Sequence, residues 1–246
     1  VIRYPHESTW HKILSRPLTD FNKIEKTVSG ILHAVRKNGD KAIRKFTKQF
    51  DRVELKEIKV GAKEINKSVN FISPELKKAI SVAIKNIKKF HVAQKEKIRK
   101  IETAKGIICW RKSVPVEKVG LYIPGGTAPL FSTLLMLGIP AQIAGCKEII
   151  LCSPPDQSGN IAPEILYCAK LLGLKNIFKA GGAQAIAAMS YGTGSIPNVY
   201  KIFGPGNQFV TAAKILANKE GIAIDLPAGP SEVCVIADES CVPSFV

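Results

Sequence analysis

Three glycine turns constrain this chain more than any other feature: Gly125-Gly126, Gly181-Gly182 and Gly204-Pro205-Gly206. Each follows a short apolar run with the composition of a strand, and each opens into a segment with helical periodicity. Glycine lets a chain turn sharply and lets backbone approach a ligand closely. A helix start offers unpaired N–H groups and the positive end of the helix dipole. Three such turns at the carboxyl edge of one parallel sheet make a site for an anionic ligand, most simply a nucleotide.

The pattern around the turns predicts an α/β fold. Val119–Ile123, Glu148–Cys152, Asn176–Ala180, Val199–Phe203, Ala223–Leu226 and Val233–Ala237 read as strands, with Gly106–Trp110 as a weaker candidate ahead of them. Helical segments separate the stronger strands: one from Ser132 to Leu137 that resumes at Pro140, then Ile161–Leu172, Gln184–Tyr191 and Asn207–Lys219. Such alternation implies a parallel, doubly wound sheet with right-handed crossovers, and the near-continuous apolar strands imply cover on both faces. Residues 1–105 read differently, as helices with turns. Phe21, Ile24, Val28, Ile31, Leu32 and Val35 recur at helical spacing up to the break at Asn38-Gly39-Asp40. Ser73 is a good N-cap with Pro74 at the first helical position, and Leu76, Ile80, Ala83, Ile84, Ile87 and Phe90 follow as one apolar stripe. The expected organisation is a basic helical segment over 1–105 and an α/β region over 106–246, incomplete at its C-terminal end.

Composition excludes several classes. The net charge of +16 divides as +17 over residues 1–120 and −1 over 121–246. Aromatic residues do not interleave with the basic ones as a strand-binding platform requires, so the charge reads as the solvated side of amphipathic helices rather than a nucleic-acid face. No apolar run approaches the roughly 18–20 residues of a membrane span. No signal peptide is visible at the start, and the six cysteines form no Cys-x-x-Cys pair. They read as reduced thiols acting as small hydrophobes in a cytoplasmic protein, and a structural zinc site built from them is not expected.

Four residues stand where chemistry is expected. Asn207 follows Gly204-Pro205-Gly206 at an N-cap position, so it reads as a capping side chain or as a ligand contact. Gln184 follows Gly181-Gly182-Ala183 in the same way, and because Gln is a poor cap it reads more readily as a ligand contact. Tyr122 ends a strand at the same edge and on its own reads as a half-buried strand aromatic. Ser231 lies in Gly229-Pro-Ser-Glu-Val233, which is not a nucleophile elbow, and can hydrogen-bond a ligand or cap the turn. No turn carries the full Gly-x-Gly-x-x-Gly fingerprint, and no acidic residue about 20 positions on marks a ribose partner. His6, His11, His33 and His91 all lie in the helical half, each without a partner at i+4. They read as surface or packing residues, which leaves the α/β half without a general base.

Four motifs in order give the chain a family resemblance. Val116-Glu-Lys-Val-Gly-Leu-Tyr-Ile-Pro-Gly-Gly-Thr-Ala-Pro-Leu130, Gly181-Gly-Ala-Gln-Ala-Ile-Ala187, Lys201-Ile-Phe-Gly-Pro-Gly-Asn207 and Asp225-Leu-Pro-Ala-Gly-Pro-Ser-Glu232 resemble the histidinol dehydrogenase family. The resemblance extends over essentially the whole chain, including Asn38-Gly-Asp-Lys-Ala-Ile-Arg44. It implies Rossmann-like architecture and the last step of histidine biosynthesis, the NAD-dependent, two-step oxidation of L-histidinol to L-histidine through the aldehyde. It further implies a zinc-dependent homodimer. Carried over by motif, it implies NAD contacts at Tyr122, Gln184 and Asn207 and a substrate contact at Ser231. The family's zinc ligands and catalytic Glu-His pair are expected beyond Val246, so no catalytic or metal-binding residue is expected in this chain, and the 246 residues alone are expected to be inactive. A non-catalytic nucleotide-binding remnant of the fold, or a basic nucleic-acid-binding protein, are the alternatives.

Overall fold

The computed structural model describes residues 2–15, 21–125, 130–226 and 235–242. They belong to two units, one of Val1–Asp20 with Ala228–Val246 and one of Phe21–Pro227. In the first, helix α1 (Glu7–Leu14) starts at His6, whose ring Nδ1 accepts the Ser8 N–H. Residues 235–237 carry no strand, so the described part of the expected Val233–Ala237 strand is absent. Val233, Cys234, Ser231 and Gly126 lie outside the described residues.

The second unit begins with α2 (Phe21–Asn38) and α3 (Asp40–Phe46), which break at Gly39 as the sequence predicts. A π-helical turn, Thr47–Asp51, continues α3. Helix α4 (Ala62–Lys67) comes next. Helix α5 (Pro74–Ala93) is capped by Ser73, whose hydroxyl oxygen accepts the Leu76 N–H at 3.2 Å. Its apolar stripe buries Ile80 and half-buries Leu76, Ala83, Ile84 and Ile87, but Phe90 is 64% exposed at the far end of the helix.

Strands β1 (Lys100–Ala104) and β2 (Ile107–Trp110) form an antiparallel hairpin. The strand expected at Gly106–Trp110 is present as β2; Gly106, at φ +84°, turns the chain back on β1, and both strands are exposed throughout. The main sheet follows. Its elements are β3 (Lys118–Tyr122), α6 (Phe131–Ala144), β4 (Glu148–Ser153), α7 (Pro163–Leu171), β5 (Asn176–Lys179), α8 (Gly182–Tyr191), β6 (Lys201–Phe203), α9 (Gln208–Lys219) and β7 (Ala223–Ile224). Helix α6 is continuous, with Pro140 inside it, where the sequence suggested an interruption.

All pairings in this sheet are parallel, in the order β5-β4-β3-β6-β7. The chain builds outwards from β3 through β4 to β5, then returns to place β6 on the other side of β3. That is the Rossmann-like order, and its switch point lies between β3 and β6. Alternate residues of each strand face opposite cores. Val119, Leu121, Ile149, Leu151 and Ile177 join α5, α6 and α7 on one face. Tyr122, Ile150, Cys152, Phe178 and Ile202 join α2, α3, α8 and α9 on the other. The basic helices thus supply cover for the sheet, with their apolar stripes inward. Residues 58–60 close the β5 edge: the Val60 N–H donates to Ile177 O, and the Lys179 N–H donates to Ile58 O.

Candidate functional site

A cavity of about 990 Å³ opens at the carboxyl edge of the sheet beside the switch point. Its walls come from the segments that leave β3, β4, β5 and β6, together with the π-helical turn. Such a volume accommodates a ligand of nucleotide size. Tyr122, Gln184 and Asn207, which the sequence singled out separately, all line it.

The turn after β6 is held from two sides. Gly204 has φ +137°, and a Cβ there would lie 2.1 Å from Tyr122 O, so a side chain is excluded by backbone. Its N–H donates to Asp225 Oδ2 at 2.8 Å, and its carbonyl accepts Lys214 Nζ at 3.0 Å. Lys214 and Asp225 themselves form an ion pair, with the ammonium buried. Asn207 then caps α9, its Oδ1 accepting the N–H groups of Phe209 and Val210, both at 3.1 Å. The capping reading of Asn207 therefore holds, and its amide NH₂ has no partner among the described residues.

The turn after β5 is held by packing. Pro154, leaving β4, fills the space beside two glycines: a Cβ at Gly125 or at Gly181 would meet its ring at 2.6 Å. Helix α8 starts at once, and the Gly182 N–H donates to the Tyr122 hydroxyl at 3.0 Å. Tyr122 is buried rather than half-buried, and burial pushes its phenol up to about 12, so it is neutral at physiological pH. Gln184 is 1% exposed, and its Oε1 is sealed from solvent with no partner among the described residues. A buried amide left short of partners is costly unless a ligand completes it. Ser153 Oγ is a second orphaned oxygen in the cavity wall.

Sequence reasoning missed Asp51. It ends the π-helical turn and lines the cavity, and its Oδ2 is sealed without a partner among the described residues. Burial alone pushes its carboxyl up to about 6. Nothing in the Lys-rich segment around it marks it locally. Ser231 lies outside the described residues.

The donor chemistry separates the two groups that the resemblance implies. Glycine turns that exclude side chains, helix starts and orphaned amide oxygen fit a dinucleotide. Zinc finds no such fit: among the described residues no three His, Cys, Asp or Glu side chains gather as a donor set. His6, His11 and His33 are exposed and His91 half-buried, and no histidine is among the residues that line the cavity. Of the cysteines, Cys152 and Cys168 are buried with their thiols pushed up by burial, as expected of small hydrophobes, whereas Cys109 is exposed on the β1–β2 hairpin. No helix among the described residues is long and apolar enough to cross a membrane.

Comparison with known proteins places this architecture. A histidinol dehydrogenase from Bacteroides thetaiotaomicron is 56% identical over 246 residues, covering 100% of this chain and 58% of the relative. The chloroplastic histidinol dehydrogenase of Arabidopsis thaliana is 54% identical over 234 residues, covering 94% of this chain and 50% of the relative. The crystal structure of histidinol dehydrogenase from Elizabethkingia anophelis matches with a TM-score of 0.89 at 53% identity, covering 98% of this chain and 56% of that one. The chain thus spans about half the length of the relatives it matches. The family model of histidinol dehydrogenase matches residues 14–246, and this chain belongs to the histidinol dehydrogenase family.

Proposed function

We propose that this chain forms the dinucleotide-holding wall of an NAD-dependent histidinol dehydrogenase, the enzyme that takes L-histidinol to L-histidine through the aldehyde. The observation that carries this reading is the meeting of Tyr122, Gln184 and Asn207 in one cavity at the switch point of a Rossmann-like sheet. Bound NAD supplies a nicotinamide ring that accepts hydride. The residues of this chain bind and orient it. The glycine turns admit the pyrophosphate close to backbone, and the starts of α8 and α9 favour its charge. Gln184 offers a buried amide whose hydrogen bonds are incomplete. Asn207 spends its oxygen on the cap and keeps its NH₂ for the ligand. Tyr122 fixes the first amide of α8 and walls the cavity as a neutral phenol. Ser231 belongs to the same reading as a substrate contact, as do the zinc dependence, the homodimer and the cytoplasmic location implied by the resemblance. The division into a helical segment over 1–105 and an α/β region over 106–246 is part of it too. The described residues offer no zinc donor set and no histidine in the cavity, so the 246 residues alone should show no turnover.

Replacing Gln184 by Ala, or Asn207 by Ser, tests the assignment in the complete gene product. Serine keeps an N-cap and removes the amide, so the effect on binding is separated from the roughly 1 kcal/mol that losing the cap would cost. Steady-state kinetics should show the KM for NAD rising about tenfold or more in each variant, with the KM for histidinol nearly unchanged. Equal rises for both substrates would count against the reading.

A further inference from the structure

Asp51 is half-buried and is the one carboxylate in this cavity wall with an oxygen, Oδ2, that is sealed and without a partner among the described residues, and the other inward-facing carboxylates show how unusual that is. Glu64 is paired with Lys179 at 2.8 Å, Asp225 with Lys214, and Asp40 accepts the Ser195 hydroxyl at 2.6 Å. Asp51 has none of these. Burial is the sole cause acting on its carboxyl, with no hydrogen bond or cation offsetting it. The folded protein thus holds at the ligand edge a carboxyl whose charge is poorly solvated.

The backbone around it is also specialised. Asp51 ends a π-helical turn, and Arg52 next to it is left-handed at φ +60°. π turns and left-handed non-glycine residues concentrate where a side chain must be aimed at a ligand. Phe50, one residue before, stacks on Phe46 at 5.7 Å and lines the same cavity. The wall opposite the glycine turns therefore presents an aromatic ring followed by an acidic acceptor.

We propose that Asp51 binds the ribose of the dinucleotide, its carboxylate accepting hydrogen bonds from the vicinal hydroxyls. This rests on the reading of the cavity as an NAD site; Asp225, 21 positions beyond Gly204, stands at the usual spacing of an acidic ribose partner, but it is engaged by the Gly204 N–H and by Lys214. A carboxylate repels phosphate and accepts O–H, so the polar roles divide: phosphates go to the helix starts, hydroxyls go to Asp51. The same placement disfavours a ribose that carries a 2′-phosphate, because two negative charges would meet in a poorly solvated wall.

The test is equilibrium binding to the complete gene product by calorimetry, with NAD, 2′-deoxy-NAD, 3′-deoxy-NAD and NADP as probes. The unaltered protein should bind at least one deoxy analogue about tenfold more weakly than NAD. Asp51→Asn should weaken NAD by about tenfold and bind NAD and the deoxy analogues alike, and its preference for NAD over NADP should narrow. The KM for histidinol should stay within about twofold, since the contact is to the cofactor. Unchanged NAD affinity in Asp51→Asn, or a penalty that falls on histidinol instead, overturns the proposal. The analogue comparison uses the unaltered protein and decides the matter even if a variant folds poorly. Asn207→Ser run in parallel separates the two levels: if it weakens NAD while Asp51→Asn does not, the ribose contact fails and the NAD site stands. If neither weakens NAD, the site itself fails.

Discussion

The turns after β5 and β6 look alike in sequence and are held by different physics. Gly204-Pro205-Gly206 is clamped by charge: Lys214 takes the Gly204 carbonyl, Asp225 takes its N–H, and the two close on each other. Gly181-Gly182 is held by shape: Pro154 packs on one side and the neutral Tyr122 phenol anchors the first amide of α8. Both arrangements leave a helix start facing the cavity. Rigidity at a ligand edge can thus come from an ion pair wrapped round one peptide or from close packing with a single neutral hydrogen bond. The first is strong but fails when one partner is lost, and the second should fail gradually.

The largest effect is expected where the turn after β6 presses on the end of β3. Gly204→Ala would place its Cβ 2.1 Å from Tyr122 O and 2.9 Å from Tyr122 C, so backbone rather than a side chain must move. At φ +137° the alanine is strained as well. Urea unfolding should show a loss of more than about 4 kcal/mol, or no folded protein at all. A loss near 1 kcal/mol would mean that the two strand ends can slide apart freely, and the turn after β6 would then be no more rigid than the one after β5.

Next comes the charge clamp. Lys214→Met leaves the Asp225 carboxylate without its cation, which should cost about 3 kcal/mol, the low end for a broken buried pair because Asp225 is 28% exposed. Adding Asp225→Asn should recover much of that loss, since the amide still offers an oxygen to the Gly204 N–H. A double mutant no more stable than Lys214→Met alone would show that the lysine acts through packing, and the two turns would then be held alike.

What could be read from the sequence follows from how local each signal is. The glycine turns, the strands before them and the Ser73 and Asn207 caps depend on neighbours in the chain, and each was visible there. Tyr122, Gln184 and Asn207 were legible because each sits within a few residues of a strand–turn–helix junction. Asp51 was not, because its role exists only once the π-helical turn is brought against the sheet edge by the burial of Val28, Ile31 and Ile43 on α8 and α9. A continuous βαβ unit carries its acidic ribose partner downstream of the glycine turn, where this chain has Asp225, closed on Lys214 and the Gly204 N–H. Here the acidic wall comes from the helical half. The charge asymmetry between the two halves was visible too, but not that the apolar stripes of the basic helices pack into the same cores as the strands. The Gly106–Trp110 strand was legible as a strand, but strand propensity does not say which sheet a strand joins.

The packed turn should yield the smaller effects. Tyr122→Phe removes the acceptor of the Gly182 N–H and should lower stability at pH 7 by about 1–2 kcal/mol, less than either change at the other turn. Its pH dependence gives the final check. Burial holds the folded phenol at about 12 against an ordinary 10.0, so the folded state keeps the proton over a range where the unfolded chain releases it. That contribution is complete below pH 10 and is lost as the pH rises towards 12. The stability gap between the parent protein and Tyr122→Phe should therefore narrow across that window, because phenylalanine has no proton to lose. Tyr191, also pushed up to about 12, titrates in both proteins and cancels from the difference. A gap that stays constant through the window would mean that water reaches the phenol, and the turn after β5 would then be held by Pro154 alone.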